Sequence, residues 1–452
     1  MKRLILLLAA ASVGIVTMTQ AATFESAREA VDLMRLGWNL GNTLDSNSGD
    51  TLNMWIEHWT DRSPSAYETA WGQKVATPEV IAMFKKAGFN AIRVPVTWYP
   101  HMEAKFQFAT YQNSYWYPWK DDLGTKIQAA WMARVKEVVD YVISQDMYCI
   151  LNVHHDTGAA NTAWLIADED VYAKQHTRFE AIWTQIAETF RDYDEHLLFE
   201  GYNEMLDAPR SWCFASFGTT ARYDAAIATS AYNAINAYAQ SFVNAVRATG
   251  GNNAQRNLVV STYGACDGHG NWNEHLQDPL KQMRLPNDPA GSGHLIFEVH
   301  TYPDISNLSW VKTELRTCIS DLKRYLEAKG APVIFGEWGS LEGSDYDKRR
   351  SAYLDFARYF VEQCKAAGIG TFYWMGLSDG EHRTVPEFNQ PDLLEALVKG
   401  YYGEGGYVGV EELQATAPSS SAKAYSISGQ LLPDKAPKKG LRIVNGKKIL
   451  FQ

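Results

Sequence analysis

Short apolar segments alternate with longer amphipathic segments between residues 36 and 400. The short segments are apolar at successive positions, as strands of a parallel sheet are when helices cover it. They predict eight strands, at residues 36–40, 91–96, 148–153, 197–201, 258–262, 295–299, 333–336 and 370–374. The longer segments repeat apolar residues at helical spacing. They predict helices at residues 78–87, 129–145, 177–190, 225–249, 311–329 and 347–367.

Eight alternating strand–helix units favour one closed α/β architecture, a (β/α)₈ TIM barrel, over an open doubly wound sheet. The sequence contains neither GxGxxG nor GxxxxGK[ST]. The nucleotide-binding loops that accompany many open sheets are therefore not indicated. We expect residues 23–402 to form the barrel.

Both ends of the sequence differ from this pattern. Residues 1–22 have two basic residues, an apolar run and small residues near position 21, which is typical of a secretory signal peptide. Residues 403–422 are rich in Gly, Ala, Pro and Ser and predict a linker. Residues 423–452 predict a short β-rich tail, in which alternating apolar residues indicate a hairpin turning at Asn445-Gly446. The segment Lys439-Gly-Leu-Arg-Ile-Val-Asn-Gly446-Lys-Lys resembles the C-terminal sorting segments of the type nine secretion pathway, which implies a role in export or surface retention.

Composition narrows the class of protein. The 452 residues carry a net charge of −10, which disfavours nucleic acid or an anionic membrane as the main partner. No apolar run after residue 22 is long enough to predict a membrane span. The 15 Trp and 24 Tyr residues fit either a large aromatic core or a surface that stacks on sugars. Five cysteines without a CxxC motif disfavour a disulfide scaffold or a cysteine metal site, although Cys213 and Cys266 remain a possible pair.

Polar and aromatic residues cluster at or just past the predicted strand ends. Because these ends meet at one face of a barrel, we expect the residues to form a common site. Singly, each has a structural explanation, such as an ion pair, a packed histidine or a solvated loop carboxylate. Together they bring two carboxylates toward several potential partners, which is typical of a functional site. The candidates are Asn42, Arg93, His154, His155, Asn203, Glu204, His300, Tyr302, Glu337 and Trp374.

Seven ordered motifs resemble those of glycoside hydrolase family 5, whose barrel enzymes cut β-linked glucans and mannans with retention of configuration. The resemblance spans roughly residues 30–400, and Glu68-Thr-Ala-Trp-Gly72 is most similar to the subfamily rich in endoglucanases and xyloglucanases. The motifs are Gly37-Trp-Asn-Leu-Gly-Asn-Thr-Leu-Asp45, Phe89-Asn-Ala-Ile-Arg-Val-Pro-Val-Thr-Trp98, Ile150-Leu-Asn-Val-His-His-Asp156, Phe199-Glu-Gly-Tyr-Asn-Glu204, Val299-His-Thr-Tyr302, Val333-Ile-Phe-Gly-Glu-Trp-Gly339 and Phe372-Tyr-Trp374.

This resemblance implies that Glu204 is the acid/base and Glu337 the nucleophile of a retaining glycosidase, which needs its carboxyl groups about 5–5.5 Å apart. Around Glu337, Arg93 is expected to keep the carboxylate ionised and Tyr302 to donate a hydrogen bond.

On the same resemblance His300 assists Glu204, and Asn203 binds the sugar 2-hydroxyl. Trp374 lies under the sugar, His154 and His155 orient it, and Asn42 joins the substrate-binding set. By contrast, Glu200 and Glu298 lie within strands and are expected to form ion pairs in the core. The site is expected to need no metal or other cofactor.

The sequence thus predicts a secreted endo-β-1,4-glucanase (a cellulase) acting on a β-linked polysaccharide. A xyloglucanase, mixed-linkage glucanase, xylanase or mannanase on the same scaffold remains the alternative. An inactive glycan-binding barrel is the non-enzymatic alternative. Two further hypotheses have weaker support: a serine esterase, from Gly376-Leu-Ser-Asp-Gly380, and a metal hydrolase built on His154, His155 and Asp156. Oligomeric state is left open.

Overall fold

A computed structural model describes most of the chain between Phe24 and Phe451. The described residues are 24–103, 109–111, 114–116, 124–208, 211, 223–270, 274–340, 346–408, 424–425, 440–444 and 447–451. The predicted signal peptide, most of the predicted linker and the turn at Asn445-Gly446 lie outside them.

Eight parallel strands close into a barrel in which each strand pairs with its neighbours along the chain and the last pairs with the first. This confirms the predicted (β/α)₈ fold. The fifth, sixth and seventh strands run further than predicted, because their pairing continues past a register shift to Cys266, Thr301 and Trp338. The strands are β1 (Gly37–Asn39), β2 (Ala91–Val94), β3 (Tyr148–Asn152), β4 (Leu197–Glu200), β5 (Leu258–Cys266), β6 (Leu295–Thr301), β7 (Val333–Trp338) and β8 (Gly370–Trp374).

Helices surround the barrel, and their ends follow ordinary capping chemistry. The Asp168 and Asp224 side chains accept hydrogen bonds from the first backbone amides of their helices. Gly368 ends another helix in the left-handed region, at φ +69°. The helices are α1 (Ala27–Leu33), α2 (Trp55–Trp59), α3 (Pro64–Glu68), α4 (Pro78–Lys86), α5 (Ala129–Ile143), α6 (Glu169–Thr189), α7 (Ala225–Ala248), α8 (Asp278–Gln282), α9 (Leu308–Tyr325), α10 (Arg350–Ala367) and α11 (Pro391–Tyr402).

The lower end of the barrel interior is apolar and closed. Helix α1 inserts Ala27, Ala30 and Val31 into a cluster with inward side chains of the strands, including Ile150 and Phe372. A side chain at Gly37 would overlap the Phe372 ring, so this glycine makes room for the aromatic residue that fills the barrel. The second and larger core lies between the strands and the surrounding helices.

The next inward positions along the strands are polar, although they are fully buried. Because side chains alternate along a strand, the residues two positions after the apolar layer also face the barrel axis. We call this set the polar layer: Asn39, Arg93, Asn152, Glu200, Ser261 and Glu298. The barrel thus has an apolar floor and a charged layer directly beneath its upper end.

The tail contains an antiparallel hairpin, Gly440–Val444 with Lys447–Phe451, as the alternation predicts, and Ala424–Tyr425 pairs alongside it. Two short strands, Ala109–Tyr111 and Ser114–Trp116, form another hairpin. Within the described ranges no helix combines the length and the hydropathy that a membrane span needs. Cys149, Cys266, Cys318 and Cys364 are buried free thiols. Cys213, the partner that the sequence suggested for Cys266, lies outside the described residues.

Candidate active site

Glu337 lies near the end of β7 and is held by two hydrogen-bond donors. Arg93 Nη1 donates to its Oε1 at 2.8 Å, and the Tyr302 hydroxyl donates to its Oε2 at 2.7 Å. Burial, and then the nearby carboxylate of Glu337, raise the pKa of Tyr302 well above its usual range, so its phenol remains a donor. Both donors stabilise the ionised form of Glu337.

Glu204 follows β4 and has a different environment. Its Oε1 lies 2.8 Å from Nδ1 of His300, a residue of β6. Burial raises the pKa of Glu204, while the hydrogen bond from His300 opposes the shift and the charge of Glu337 adds to it. The site therefore contains one carboxyl group that burial shifts toward its protonated form and another that accepts hydrogen bonds from a guanidinium and a phenol, two environments suited to acid/base chemistry.

The two carboxyl groups are close together. One oxygen of Glu204, one oxygen of Glu337 and a ring nitrogen of His300 all lie within 4.8 Å of one another. This approach of single oxygens fits a short carboxyl pair, in which the two groups lie about 5–5.5 Å apart.

Arg93 connects this pair to the polar layer. Its Nε and Nη2 donate to both carboxylate oxygens of Glu200 at 2.6 and 2.7 Å, and Nη2 also donates to Asn203 Oδ1 at 2.7 Å. Burial disfavours the guanidinium charge, but Glu200, Glu298 and Glu337 outweigh it and raise the pKa of Arg93 well above its usual range. Because Asn203 Oδ1 accepts from Arg93, its amide Nδ2 is the group turned toward other partners.

Two histidines that follow β3, His154 and His155, form another wall of the site. Val96 N donates to Asn152 Oδ1, so Asn152 Nδ2 is the amide atom that lies 2.9 Å from His154 Nδ1 and donates to it. His154 is therefore protonated on Nε2, which lies 3.8 Å from Glu337 Oε1. His155 Nε2 lies 3.8 Å from Asp45 Oδ2, and burial lowers the pKa of His155 to about 4. Both rings are thus neutral at pH 7.

Asn42 and Trp374 complete the predicted set. Asn42 follows β1 at φ +53°, and its backbone amide donates to Asp45 Oδ2 at 3.1 Å. The half-buried ring of Trp374 lies parallel to the His154 ring at 5.7 Å. A side chain at Gly41 would approach the Trp374 ring to 2.9 Å, so this glycine leaves the ring its position. The structure therefore brings all ten predicted residues to the upper end of one barrel.

Two groups of residues have the composition of a metal site. Asp45, His154 and His155 offer ligand atoms within 4.8 Å of one another. However, His154 Nε2 carries the proton, so it is a donor and not a ligand. In the second group, Glu204, His300 and Glu337, the His300 ring and the Arg93 and Tyr302 donors already engage the carboxylates. Neither group fits a resident metal.

A cavity of about 880 Å³ extends away from this wall on the side of Glu204. It is bounded at one end by Glu204, His300 and Tyr302 and further out by His269 and the exposed Trp310. Since Asn42, His154, His155 and Trp374 do not line it, the carboxyl pair has two different sides. The cavity therefore gives an extended ligand room on the Glu204 side of the pair.

Several residues at the site were not predicted as part of it. Asn39 and Asn152 orient Arg93 and His154, and Asp45 orders the turn after β1. Glu200 and Glu298 form the ion pairs that were predicted for them, and Arg93 is the partner of both. Because Arg93 also contacts Glu337, these ion pairs support the site as well as the core. Polar residues at inward positions of otherwise apolar strands were the signal that could have identified them.

Two sequence-based alternatives lose their structural basis. Ser378 is fully buried, and its hydroxyl lies 3.5 Å from the backbone oxygen of His382, not from the imidazole ring. Asp156 is turned away from both histidines, because its carboxylate accepts from Trp98 N and Trp164 Nε1.

Some of the tryptophans that could stack on sugars belong to the core instead. The loop residue Trp164 is buried, as are Trp131 and Trp183, whereas Trp59 is 77% exposed. Trp119, Trp212 and Trp272 lie outside the described residues.

A closed (β/α)₈ barrel with a close carboxyl pair at the upper end of its strands defines a barrel glycoside hydrolase. The comparisons with known proteins identify the family. The model of the cellulase family, glycosyl hydrolase family 5, matches residues 56–379, and the chain belongs to this family.

The relatives and solved structures that the chain matches are endoglucanases and family 5 glycoside hydrolases. Endoglucanase A of Clostridium longisporum is 31% identical over 409 residues, covering 84% of this chain and 67% of the relative. A GH5-4 broad-specificity endoglucanase from an uncultured bacterium is 51% identical, with a TM-score of 0.75 over 84% of this chain and 97% of that one. A family 5 glycoside hydrolase of Prevotella bryantii B14, solved as a mutant with a xyloglucan tetradecasaccharide, is 39% identical, with a TM-score of 0.69 over 84% and 99%.

Proposed function

We propose that this protein is a secreted, retaining endo-β-1,4-glucanase that hydrolyses β-glucan chains by double displacement. Glu337 is the nucleophile and Glu204 the acid/base. The observation that carries this proposal is the pair itself: two carboxyl oxygens lie within 4.8 Å of each other, and the two groups have different partners, His300 for Glu204 and Arg93 with Tyr302 for Glu337. The endoglucanase names of the relatives support the substrate class.

In the first step, a Glu337 oxygen attacks the anomeric carbon and the bond to the leaving oxygen breaks. Glu204 gives its proton to that oxygen, so the leaving sugar departs as an alcohol. Arg93 and Tyr302 hold Glu337 so that one lone pair faces the sugar. In the second step, Glu204 takes a proton from water as that water attacks the anomeric carbon, and Glu337 leaves again as a carboxylate.

The remaining residues bind the sugar at the cleaved bond. Asn203 Nδ2 is available to donate to the 2-hydroxyl, a contact that strengthens in the transition state. The Nε2–H of His154 faces the same sugar position, and the Trp374 ring lies parallel to the His154 ring. The cavity beside Glu204 lies where the leaving chain would be, which supports cleavage within a chain.

Azide rescue tests the two assignments separately. Glu337→Gly should lower activity by several orders of magnitude and leave space for azide, which attacks the substrate once and gives an α-glycosyl azide. Glu204→Ala should still form the glycosyl-enzyme from a substrate with a good leaving group. Azide then replaces water, and two inversions give a β-azide. NMR of the products distinguishes them: a β-azide from Glu337→Gly, or an α-azide from Glu204→Ala, would reverse the roles.

Xyloglucan and mixed-linkage glucan are the principal alternative substrates. The Prevotella bryantii structure was solved with a xyloglucan tetradecasaccharide, and a 28% identical neighbour is a family 5 lichenase from Caldicellulosiruptor. Initial rates on carboxymethylcellulose, barley β-glucan, xyloglucan, xylan and mannan, with product analysis, decide among them. An inactive glycan-binding barrel would bind these polymers without releasing products from any of them.

A further inference from the structure

Glu298 is a buried carboxylate beneath the acid/base that the mechanism above does not use. It lies on β6, two residues before His300, and is fully buried. Its Oε2 accepts from Ser261 Oγ at 2.8 Å, and its Oε1 lies 3.4 Å from Arg93 Nε. A side chain at Gly336 of the neighbouring strand β7 would overlap this carboxylate, so β7 leaves a space that Glu298 occupies. Ser261, Arg93 and the space beside Gly336 therefore fix the position of the Glu298 carboxylate.

Glu298 and Glu204 face opposite edges of the same imidazole ring. His300 Nε2 lies 3.3 Å from Glu298 Oε1, and His300 Nδ1 lies 2.8 Å from Glu204 Oε1 and 3.5 Å from Glu337 Oε2. Both ring nitrogens thus face carboxyl oxygens, an arrangement that favours the doubly protonated ring. A cation in contact with Glu204 would by itself promote loss of the Glu204 proton.

We propose that Glu298 is a positioning residue for the acid/base. As the counter-ion of the His300 imidazolium, it balances that positive charge, so Glu204 keeps its proton to higher pH. This inference rests on the proposed role of Glu204 and adds a residue that acts on it through His300.

The charges around the ring agree with this role. Burial disfavours the imidazolium, but Glu337, Glu204 and Glu298 outweigh it and raise the pKa of His300 to about 10. Glu298 itself is kept ionised, because Arg93 and His300 outweigh burial and lower its pKa. The other ionisable groups near His300 and Glu298 are Glu200, Tyr202, His154, Tyr302 and Cys266. His154 is neutral, and burial raises the pKa of both tyrosines.

Glu298→Gln removes the charge and keeps the shape of the side chain. With the His300 cation no longer balanced, the alkaline limb of the kcat/KM profile on a soluble β-glucan should move about one pH unit lower. Glu298→Asp, which retains the charge, should return the limb toward its wild-type position. An alkaline limb that stays in place or moves to higher pH in Glu298→Gln would overturn the proposal.

Glu200→Gln is the matched control, because it removes an equally buried carboxylate whose contacts are Arg93 and Asn152 and not His300. It should move the alkaline limb less than Glu298→Gln, and an equal shift would mean that only total charge matters. Wild-type protein gives a test that needs no variant. NMR of ring-labelled histidine should show His300 still doubly protonated above pH 8, and a neutral ring at pH 7 would contradict the proposal. Azide rescue of Glu204→Ala reports separately on the role of Glu204.

Discussion

Arg93 shows how one side chain unites the site. Its guanidinium contacts Asn39, Glu200, Asn203 and Glu337 within 3.0 Å and has no exposed surface. A planar group with five donors can hold several oxygens at fixed angles, which a lysine ammonium cannot do. The ends of three other strands, β1, β4 and β7, are thereby oriented by one cation. Its role is therefore both structural and functional.

Arg93→Ala should lower kcat at least a hundredfold, because Glu337 and Asn203 lose the donor that orients them. It should also lower the free energy of unfolding by about 3–5 kcal/mol, since it leaves buried carboxylates without their cation. Stopped assays with an aryl β-glycoside and urea unfolding measure the two effects. Arg93→Lys is the control: it restores charge without the fork and should recover stability better than rate. A nearly normal kcat in Arg93→Ala would refute the assignment.

At the scale of elements, strand β6 needs the space that strand β7 leaves beside it. Glu298 of β6 occupies the space beside Gly336 of β7, and Gly336 O accepts from Asn39 Nδ2 of β1 at 2.9 Å. The glycine therefore serves packing between strands and not a special backbone conformation. Strand β7 can place Glu337 beside Arg93 only if Gly336, the residue before Glu337, leaves space for Glu298 in the barrel interior.

Gly336→Ala should displace the Glu298 carboxylate from Arg93 and His300. We expect a loss of about 1–3 kcal/mol in the free energy of unfolding, as for other overpacked cores, together with lower activity. Urea denaturation and initial rates on a soluble β-glucan test this. Gly293→Ala is the matched control, since nothing lies near the added methyl group, and it should change stability by less than about 0.5 kcal/mol. Equal stability of the two variants would show that Glu298 has room to move.

At the scale of the whole molecule, the tail strands pair with one another, in the order Ala424–Tyr425, Gly440–Val444, Lys447–Phe451. The last barrel helix, α11, is followed by Tyr407, whose ring lies 5.0 Å from Tyr402 and beside Gly88. Residues up to about 408 therefore belong to the barrel by contact. We propose that the residues beyond them are a separate sorting device for export, because residues 439–448 resemble the C-terminal sorting segments of the type nine secretion pathway. Their seven Lys/Arg and single Asp after residue 417 also give them a charge opposite to that of the rest of the chain.

Truncation after residue 412 should leave kcat within about twofold of the full chain, and change export or retention at the cell surface. Truncation after Gly403 is the control, because it also removes the Tyr407 contact and should lower the melting temperature. Activity assays, thermal unfolding and fractionation of the producing cells measure these effects. If the chain ending at residue 412 unfolds, the tail is part of the barrel's stability and the sorting hypothesis loses its support.

Local sequence determined which elements form and in which order. Period-2 and period-3.6 patterns reflect one face of one element, so the eight strands and six main helices were predictable from each segment alone. Helices α1, α2, α3, α8 and α11 were not predicted, and α2, α3 and α8, at five residues each, are too short to show a period. The ten site residues were predictable for a related reason: each lies at or just past the end of one of seven strands, and barrel closure brings strand ends together.

Tertiary structure alone decided what those residues do to one another. That Asn152 sets the proton on His154, that Gly336 makes space for Glu298, and that His300 lies between two carboxyl groups all depend on side chains from different strands. No local pattern records such contacts, because register and shear between strands choose the partners. A buried glutamate in a strand has the same sequence signature whether it packs or tunes a proton. The charges that surround it in the closed barrel make the difference.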